Sequence, residues 1–566
     1  MSIAPTWKLP FVNSYIEKWA VEAPDRAAII QHEDGRVVTY SQFNSMIDFC
    51  ALKLLEMGIN KGDRVATMLL LFPEHLALMY ACFKVGAIVA PLDLRLKEAE
   101  VTRDLDKIKP KAFFFHGQLP VRDFREVGRA VQQNCPYVEH LLQVSPAAQP
   151  GDILQGAANF ADQFSMAKLM ELKQNNQLTD LLSQTYSGLD TRTAALIIFT
   201  TGTTGEPKPA VLCHENIVVQ NEVLARGIGL QGAEMKLVCN MPCSHVAGTS
   251  EGPMTTFYAG GTAVILRIFD PRATLDAVQK WQATVLGMIP TQFRMLWGLP
   301  NYNDYDLSSL KFALYAGASV DVQFLRELAK MAPQFGTGLG MTENAGFATF
   351  TPPGISVDEM AGQVGTFFAD VAQVTVRKPM NDDGTAGEEQ PDGEVGEICY
   401  HPPIVFLGYY DQPEETAKAV SREGILYTGD MGYFKTLDAY RALYLAGRRK
   451  FIIKQKGYNV FPDEVAAHIG GHPNVALADV VGAPHRLFDE GIIAFVQPKP
   501  GTTITEEEIM THCRDIASYK RPQHVVLWPE DKPWPLSRTG KVDKVVLMEL
   551  ANSIIEELRS QGRWDT

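Results

Sequence analysis

Residues 194–208 read Ala194-Ala195-Leu196-Ile197-Ile198-Phe199-Thr200-Thr201-Gly202-Thr203-Thr204-Gly205-Glu206-Pro207-Lys208. Six apolar residues in succession predict a strand buried on both faces, as in a parallel sheet of an α/β protein. The strand runs directly into a loop of threonines and glycines. Gly202 and Gly205 let the backbone approach an anion, while Thr200, Thr201, Thr203 and Thr204 add hydroxyls to the backbone N–H donors. Lys208 supplies a point charge. A plain polar turn is the competing reading, and threonine is a poor turn former without a ligand to bind. The phosphate loop of P-loop NTPases is a second competitor. It requires four residues between its glycines, followed by Gly-Lys-Ser or Gly-Lys-Thr. Here the fifth position after Gly202 is Pro207, and Lys208 precedes Pro209, so the spacing fails.

The rest of the composition sets the frame around that loop. At 566 residues the chain is longer than one ordinary domain. Its 46% hydrophobic and 21% charged residues belong to a globular protein. Against 52 Lys and Arg stand 66 Asp and Glu, a formal net charge of −14, which argues against nucleic acid as a partner. Any phosphate must therefore be held locally. Eight cysteines in this length are too sparse for a disulfide framework and read as reduced thiols of a cytoplasmic protein. The first residues carry no basic stretch leading into an apolar one, so no secretory signal is expected. The most apolar region, 65–94, is broken by Glu74, His75 and Lys84, and reads as strand, helix and strand rather than a membrane span.

Periodicity gives the elements in outline. Val12, Tyr15, Ile16 and Trp19 share a helical face. A short strand at 37–40 follows the Asp34-Gly35 turn, and Ser41 is placed to cap a helix carrying Phe43, Ile47 and Leu54 that stops at Gly58. A βαβ-like unit spans 65–92. The polar stretch 146–190 reads as surface helix and loop. Ala372, Val374 and Val376 alternate with polar residues as a half-buried strand, and 381–394 reads as a turn between strands. A boundary near Gly447 divides the chain into residues 1–446 and 447–566. The second part, with strands expected at 451–453, 475–481 and 492–496 and a helix capped by Thr505, is a small α+β domain.

Further segments carry chemistry. They read Met241-Pro242-Cys243-Ser244-His245, Ala316-Gly317-Ala318-Ser319, Gly338-Leu339-Gly340-Met341-Thr342-Glu343 and Tyr427-Thr428-Gly429-Asp430. Gly447-Arg448-Arg449-Lys450, Lys454-Gln455-Lys456-Gly457-Tyr458 and Pro535-Leu536-Ser537-Arg538-Thr539-Gly540-Lys541 complete the series. Taken singly, most have ordinary structural readings: a helix cap at Thr342 and Glu343, surface salt bridges at Asp430 and Arg448, a solvated strand edge at Lys454 and Lys456. Cys239, Cys243 and His245 lack a second Cys/His group at ligand spacing, so they are not read as a metal site. In their order and spacing, together with the threonine loop, the segments resemble the adenylate-forming superfamily, in its acyl-CoA synthetase and aryl-CoA ligase branch, over essentially the whole chain.

The resemblance implies a large α/β N-terminal domain of several subdomains, with βαβ-type sheets and a small β-barrel-like part, and a small mobile α+β C-terminal domain. It implies ATP, Mg²⁺ and coenzyme A as cofactors and a small-molecule carboxylic acid as substrate. The acid's carboxylate attacks the α-phosphorus of ATP, giving acyl-adenylate and pyrophosphate; a thiolate then expels AMP. By the resemblance, Thr200, Thr201, Gly202, Thr203, Thr204, Gly205, Lys208 and Thr342 hold phosphate and Glu343 holds Mg²⁺. Gly317, Ala318, Ser319, Gly338, Leu339, Gly340 and Met341 surround the adenine, with Leu339 where an aromatic residue is usual. Asp430 and Arg448 take the ribose, and Lys541 contacts carboxylate and α-phosphate during adenylation. Lys450 is the hinge, while Lys454, Lys456 and Gly457 serve the thioester step. His245, Gly248, Tyr315, Gly317, Ala345 and Gly346 line the acyl pocket, with small residues leaving room for a ring or chain. Pro209 and Ala210 depart from the family pattern. Two alternatives stay open: an adenylating enzyme with a non-CoA acceptor, and a catalytically idle member of the fold. The acid and the oligomeric state, a dimer among the options, are not fixed by the sequence.

Overall fold

The computed structural model describes residues 9–120, 122–145, 152–201, 206–455, 458–536 and 542–565; the side chains of residues 166, 169 and 201 are outside the description. Two large sheets build the N-terminal domain. In the first, the strands Ala27–Gln31, Lys236–Cys239, Thr262–Ile265, Val285–Met288, Phe312–Tyr315 and Gln334–Gly336 run parallel, and Val37–Thr39 closes one edge antiparallel. In the second, Arg64–Met68, Ile88–Pro91, Ala112–His116, His140–Val144 and Ala194–Thr201 share one direction. The hairpin strand Pro207–Cys213 then returns along Ala194–Thr201.

Alternation along the strands explains the layering. Ala112 and Phe114 point into a central core that also takes Ile29 and Ala263 from the other sheet and the helices Tyr40–Glu56, Pro73–Val85 and His214–Ile228. Phe113 and Phe115 point the opposite way, onto the helices Glu98–Ile108 and Arg125–Asn134. On the first sheet, Val264, Leu286 and Tyr315 face the helices Pro271–Trp281, Pro290–Trp297 and Val322–Met331. Strands covered on both faces must be apolar throughout, which is the pattern that 194–199 displays.

The small β part is a four-stranded antiparallel sheet of Val374–Arg377, Gly396–Tyr400, Leu426–Thr436 and Arg441–Arg448. In the C-terminal domain, Ile453–Gln455, Tyr458–Val460, Val475–His485, Asp489–Pro498 and His524–Leu527 form one sheet. The helices Pro462–Gly470 and Glu506–His512 cover one of its faces, and Lys544–Ser560 covers the other.

Three local expectations are corrected. The helix after the first hairpin is capped by Thr39, not Ser41: Thr39 and Gln42 form a reciprocal capping box that satisfies two orphan donors at once. Residues 449–451 are a 3₁₀ turn, and the strand starts only at Ile453. The strand Val374–Arg377 is not half-buried, because Thr375 is enclosed too and its hydroxyl meets His401 Nε2 at 2.9 Å. All eight cysteines are buried and unpaired. Among the described residues no helix is long and apolar enough to cross a membrane.

Candidate active site

The parallel strands ending at Cys239, Met288, Tyr315 and Gly336 open their carboxyl ends on one side of the sheet. Ligands of open α/β sheets sit at such ends. Residues 240–245, 316–319 and 337–343 all begin there. Gly317 adopts φ +92°, a turn that suits glycine, and Gly317, Ala318 and Ser319 are exposed. The expectation that Tyr315 lines an acyl pocket needs correction. Its ring packs 5.4 Å from Phe324 in the helix-facing core, and its carbonyl accepts the Thr337 hydroxyl at 2.8 Å.

The next segment is a tight hairpin in which Gly340–Met341 pairs with Gly346–Phe347. A Cβ on Gly338 would stand 2.1 Å from the Thr349 carbonyl oxygen, and one on Gly340 1.7 Å from that of Gly346. Both glycines are thus required by the approach of two backbones. Leu339 is half-buried against the main core and donates its N–H to Thr349 Oγ1 at 3.0 Å. Met341 donates to Asn344 Oδ1, and Thr342–Asn344 is a 3₁₀ turn ending in Ala345 at φ +65°.

Glu343 is enclosed at 6% exposure, and its Oε1 accepts the Tyr409 hydroxyl at 2.7 Å. Burial pushes its carboxyl above the ordinary range; the Tyr409 bond and the charges of Arg448 and Lys208 pull it back. Lys208 belongs to the strand Pro207–Cys213 rather than to the loop. Its Nζ lies 2.5 Å from Glu415 Oε2 and 5.1 Å from the Tyr409 ring centroid. Glu415 is held down to about 2, by the Lys208 hydrogen bond first and that of Lys418 second. Tyr409 and Glu415 are partners that reading the sequence missed. The one available signal was Pro413-Glu414-Glu415, an acidic helix start. Thr200 faces Lys208 across the hairpin, and its Oγ1 donates to the Lys208 carbonyl at 3.4 Å. Pro209 offers its carbonyl to the Tyr410 N–H at 2.8 Å, so the lost N–H leaves the strand intact on that side. Gly202, Thr203, Thr204 and Gly205 lie outside the described residues, as do Lys456, Gly457 and Lys541.

Asp430 and Arg448 are directly opposite on neighbouring antiparallel strands, with Arg448 Nε 2.6 Å from Asp430 Oδ1. Thr428 fixes the turn: its hydroxyl donates to the Ile398 carbonyl and accepts the Asp430 N–H. Gly429, at φ +76°, donates its N–H to Glu397 Oε1 at 2.8 Å. The other oxygen of Glu397, a buried residue, lies 2.9 Å from Arg449 Nη1. Lys450 follows in the 3₁₀ turn, its Nζ 4.4 Å from the Phe451 ring centroid. Desolvation first, and the charge of Arg448 second, lower its ammonium below the ordinary range. Lys454 is exposed, its Nζ bonded to Asn459 Oδ1.

His245 caps the 3₁₀ helix Val246–Gly248, its Nδ1 accepting the Ala247 N–H at 3.1 Å. A Cβ on Gly248 would fall 2.1 Å from the Pro242 carbonyl oxygen. Its smallness serves a fold-back of the chain rather than room for a substrate, which corrects that expectation. Ser250 Oγ donates to the Ala345 carbonyl at 2.5 Å, tying this wall to the Ala345–Gly346 turn. Burial pushes the thiols of Cys239 and Cys243 well up, that of Cys243 to about 12, so both stay neutral.

The fit to Mg²⁺ follows from Glu343. Among the described residues no three carboxylate, His or Cys side chains gather into a cation cage. Glu343 would be one hard oxygen ligand of a cation held chiefly by phosphate oxygens, the mode Mg²⁺ prefers. A carboxylate with one oxygen already fixed by Tyr409 fits that part.

Comparison with known proteins gives a consistent answer. The family description of the AMP-binding enzymes matches residues 16–410, and that of the AMP-binding enzyme C-terminal domain matches residues 464–541. The chain is 30% identical to a feruloyl-CoA synthase of Amycolatopsis sp over 544 residues, covering 94% of this chain and 98% of the relative. It is 27% identical to the medium-chain fatty-acid–CoA ligase of Escherichia coli (strain K12) over 565 residues, 98% and 93% of the two chains. The fold matches that of ATP-bound MatB from Rhodopseudomonas palustris, with TM-score 0.75, 24% identity and coverage of 96% and 100%.

Proposed function

The chain belongs to the AMP-binding enzyme family, and from that premise we propose that it is an ATP-dependent carboxylic acid–CoA ligase. It joins acid and ATP into an acyl-adenylate with release of pyrophosphate, then makes acyl-CoA and AMP. The observation that carries the reading is convergence. Tyr409 bonds Glu343 Oε1 at 2.7 Å while its ring lies 5.1 Å from Lys208 Nζ, so the threonine hairpin and the 338–346 hairpin meet at one place, where the charge of Arg448 from the ribose-side strands also acts on Glu343.

In the first step a carboxylate oxygen bonds to the α-phosphorus while the bond to pyrophosphate breaks. The carboxylate is already a nucleophile, so the protein's task is alignment and charge neutralisation. Lys208 exchanges Glu415 for the phosphates, with the Thr200–Gly205 segment and Thr342 donating hydrogen bonds. Mg²⁺ bound with ATP neutralises phosphate charge, with Glu343 as its protein ligand. Lys541 neutralises the reacting carboxylate and α-phosphate. Gly317 to Ser319 and Gly338 to Met341 border the adenine, and the Asp430–Arg448 pair receives the ribose hydroxyls.

In the second step a CoA thiolate attacks the carbonyl carbon, a C–S bond forms and AMP leaves. The domains 1–446 and 447–566 rotate at Lys450, which withdraws Lys541 and presents Lys454, Lys456 and Gly457. His245 stands at the acyl wall beside the reacting carboxylate. We place the enzyme in the cytoplasm, acting on a small-molecule acid. A panel of short, medium, long, alicyclic and aromatic acids with ATP, Mg²⁺ and CoA tests the proposal. Pyrophosphate and an acyl-CoA of the expected mass should appear together for at least one acid. Pyrophosphate without thioester would assign another acceptor, and neither product with any acid would leave only a nucleotide-binding fold.

A further inference from the structure

One short segment grips Glu343 by both its main chain and its side chain. The Phe406 N–H donates to the Glu343 carbonyl at 2.9 Å, and the Tyr409 hydroxyl donates to Glu343 Oε1 at 2.7 Å. The segment is itself firmly placed. Leu407 and Tyr410 donate their N–H groups to the carbonyls of Val211 and Pro209 at 2.9 and 2.8 Å. Gly408–Tyr409 thereby adds an edge strand to Pro207–Cys213, with Tyr409 opposite Ala210. The Tyr409 N–H goes to Thr416 Oγ1 at 2.9 Å, and that hydroxyl donates to the Gln412 carbonyl at 2.9 Å. Gly408 adopts φ +123°, and a Cβ on it would lie 2.9 Å from Thr416 Cγ2, so glycine is needed for the helix Pro413–Ala419 to come this close.

The ring of Tyr409 is anchored separately from its hydroxyl. It meets Phe406 edge-on with 5.0 Å between centroids and stands 5.1 Å from Lys208 Nζ. Strand pairing and ring packing hold this residue without its O–H, and phenylalanine would satisfy both. The hydroxyl serves Glu343 alone. The Glu343 carboxylate is enclosed at 6% exposure, and among the described residues no Lys, Arg or His stands within ion-pair distance of it. Tyr409 supplies its one side-chain hydrogen bond among those residues. A buried carboxylate without a counter-charge is costly, and a group kept in that state calls for a cation that arrives with a ligand. The last torsion of a glutamate side chain is broad, so a bond to one oxygen is what sets the direction of the other.

We propose that Tyr409 is a positioning residue for the metal–nucleotide part of the reaction: its hydroxyl fixes the Glu343 carboxylate through Oε1 and leaves Oε2 to receive the Mg²⁺ carried by ATP. This rests on the acid–CoA ligase reading and deepens it. Because the segment is registered on the strand that carries Lys208, the ligand for the cation and the lysine for the phosphates keep a fixed relation. Partners that orient a metal's ligands by hydrogen bonding typically change metal affinity or activity by about 10–100-fold when removed. Tyr409 acts in that way without touching substrate or metal.

Tyr409→Phe tests the proposal, since it removes the hydroxyl and keeps the ring. Binding of α,β-methylene-ATP, whose α–β bridge is not cleaved, is measured by calorimetry in Mg²⁺ and again in EDTA. The Mg²⁺ concentration for half-maximal pyrophosphate release is measured with an acid that supports turnover. The variant should bind the analogue about tenfold or more weakly in Mg²⁺ and as well as the parent in EDTA. Its half-maximal Mg²⁺ should rise by a similar factor, with the KM for the acid unchanged. In a Glu343→Gln background the same substitution should have no further effect, because Tyr409 acts through that carboxylate. Equal weakening with and without Mg²⁺, no weakening, or losses that add in the double variant overturn the proposal. So does a Tyr409→Phe chain that no longer melts cooperatively, which would make the hydroxyl structural. The calorimetric arm needs neither acid nor CoA. If no acid supports turnover the ligase reading fails, while the binding measurements still decide on Tyr409.

Discussion

Glu343 concentrates what the side chains say. Its carboxyl is buried, raised by desolvation and bonded to Tyr409. Glu343→Gln keeps an acceptor for the Tyr409 hydroxyl and removes a buried charge. Stability should therefore stay within about 0.5–1.5 kcal/mol of the parent, since a single neutral hydrogen bond is worth that much. Adenylation should fall sharply, with partial recovery as Mg²⁺ is raised, because an amide is a weak ligand for a hard cation. Melting curves and a Mg²⁺ titration check both halves; a large loss of stability with unchanged Mg²⁺ dependence would make Glu343 structural. Lys541→Ala should cut adenylation about 10²–10³-fold while sparing thioester formation from preformed adenylate, and equal losses in both half-reactions would remove Lys541 from the first. Motif residues such as Lys208, Glu343 and Asp430 stood out in the sequence by type and spacing. Their partners did not. Glu415 reaches Lys208 across 207 positions of chain, and Tyr409 reaches Glu343 across 66, distances that only the fold closes.

At the scale of elements, strands buried on both faces were the easiest to read, as 194–199 shows. Boundaries set by a single hydrogen bond were harder. Ser41 follows Thr39 closely and is an equally good cap by type, yet the Gln42 side chain reaches back to the Thr39 N–H, and that reciprocal bond decides the start. Thr39→Ala should cost about 1 kcal/mol in chemical denaturation, whereas Ser41→Ala should cost less. The 3₁₀ turn at Arg449–Phe451 hid in the sequence behind the apolar run 451–453. It puts Lys450 between the Glu397–Arg449 ion pair and the first strand of the C-terminal sheet. Proline at 450 would push Arg449 out of the helical region and stiffen the turn. Lys450→Pro should therefore leave adenylation intact and slow thioester formation; unchanged steady-state ligation would place the hinge elsewhere.

At the scale of the molecule, burial also sets the response to acid. His75, His116 and His214 are enclosed, and desolvation lowers each to about 4. Their unfolded values lie near 6.5, so between about 6.5 and 4 the unfolded chain binds protons that the folded one refuses. Stability should thus fall as pH drops through that window. His214→Phe should flatten the slope of stability against pH there by as much as one proton, measured by denaturant unfolding at several pH values. The two-domain α/β plan and the family were legible because the motifs recur along the whole chain. The layering, with one set of helices shared between two sheets, was not, since it depends on which face of each strand meets which helix. In the proposed reaction the acid's own carboxylate attacks the α-phosphorus. An acid that supports turnover, labelled with ¹⁸O in both carboxylate oxygens, tests it directly by mass spectrometry of the nucleotide product. One ¹⁸O should appear in the phosphate of AMP; unlabelled AMP, or ADP with labelled inorganic phosphate, would contradict it.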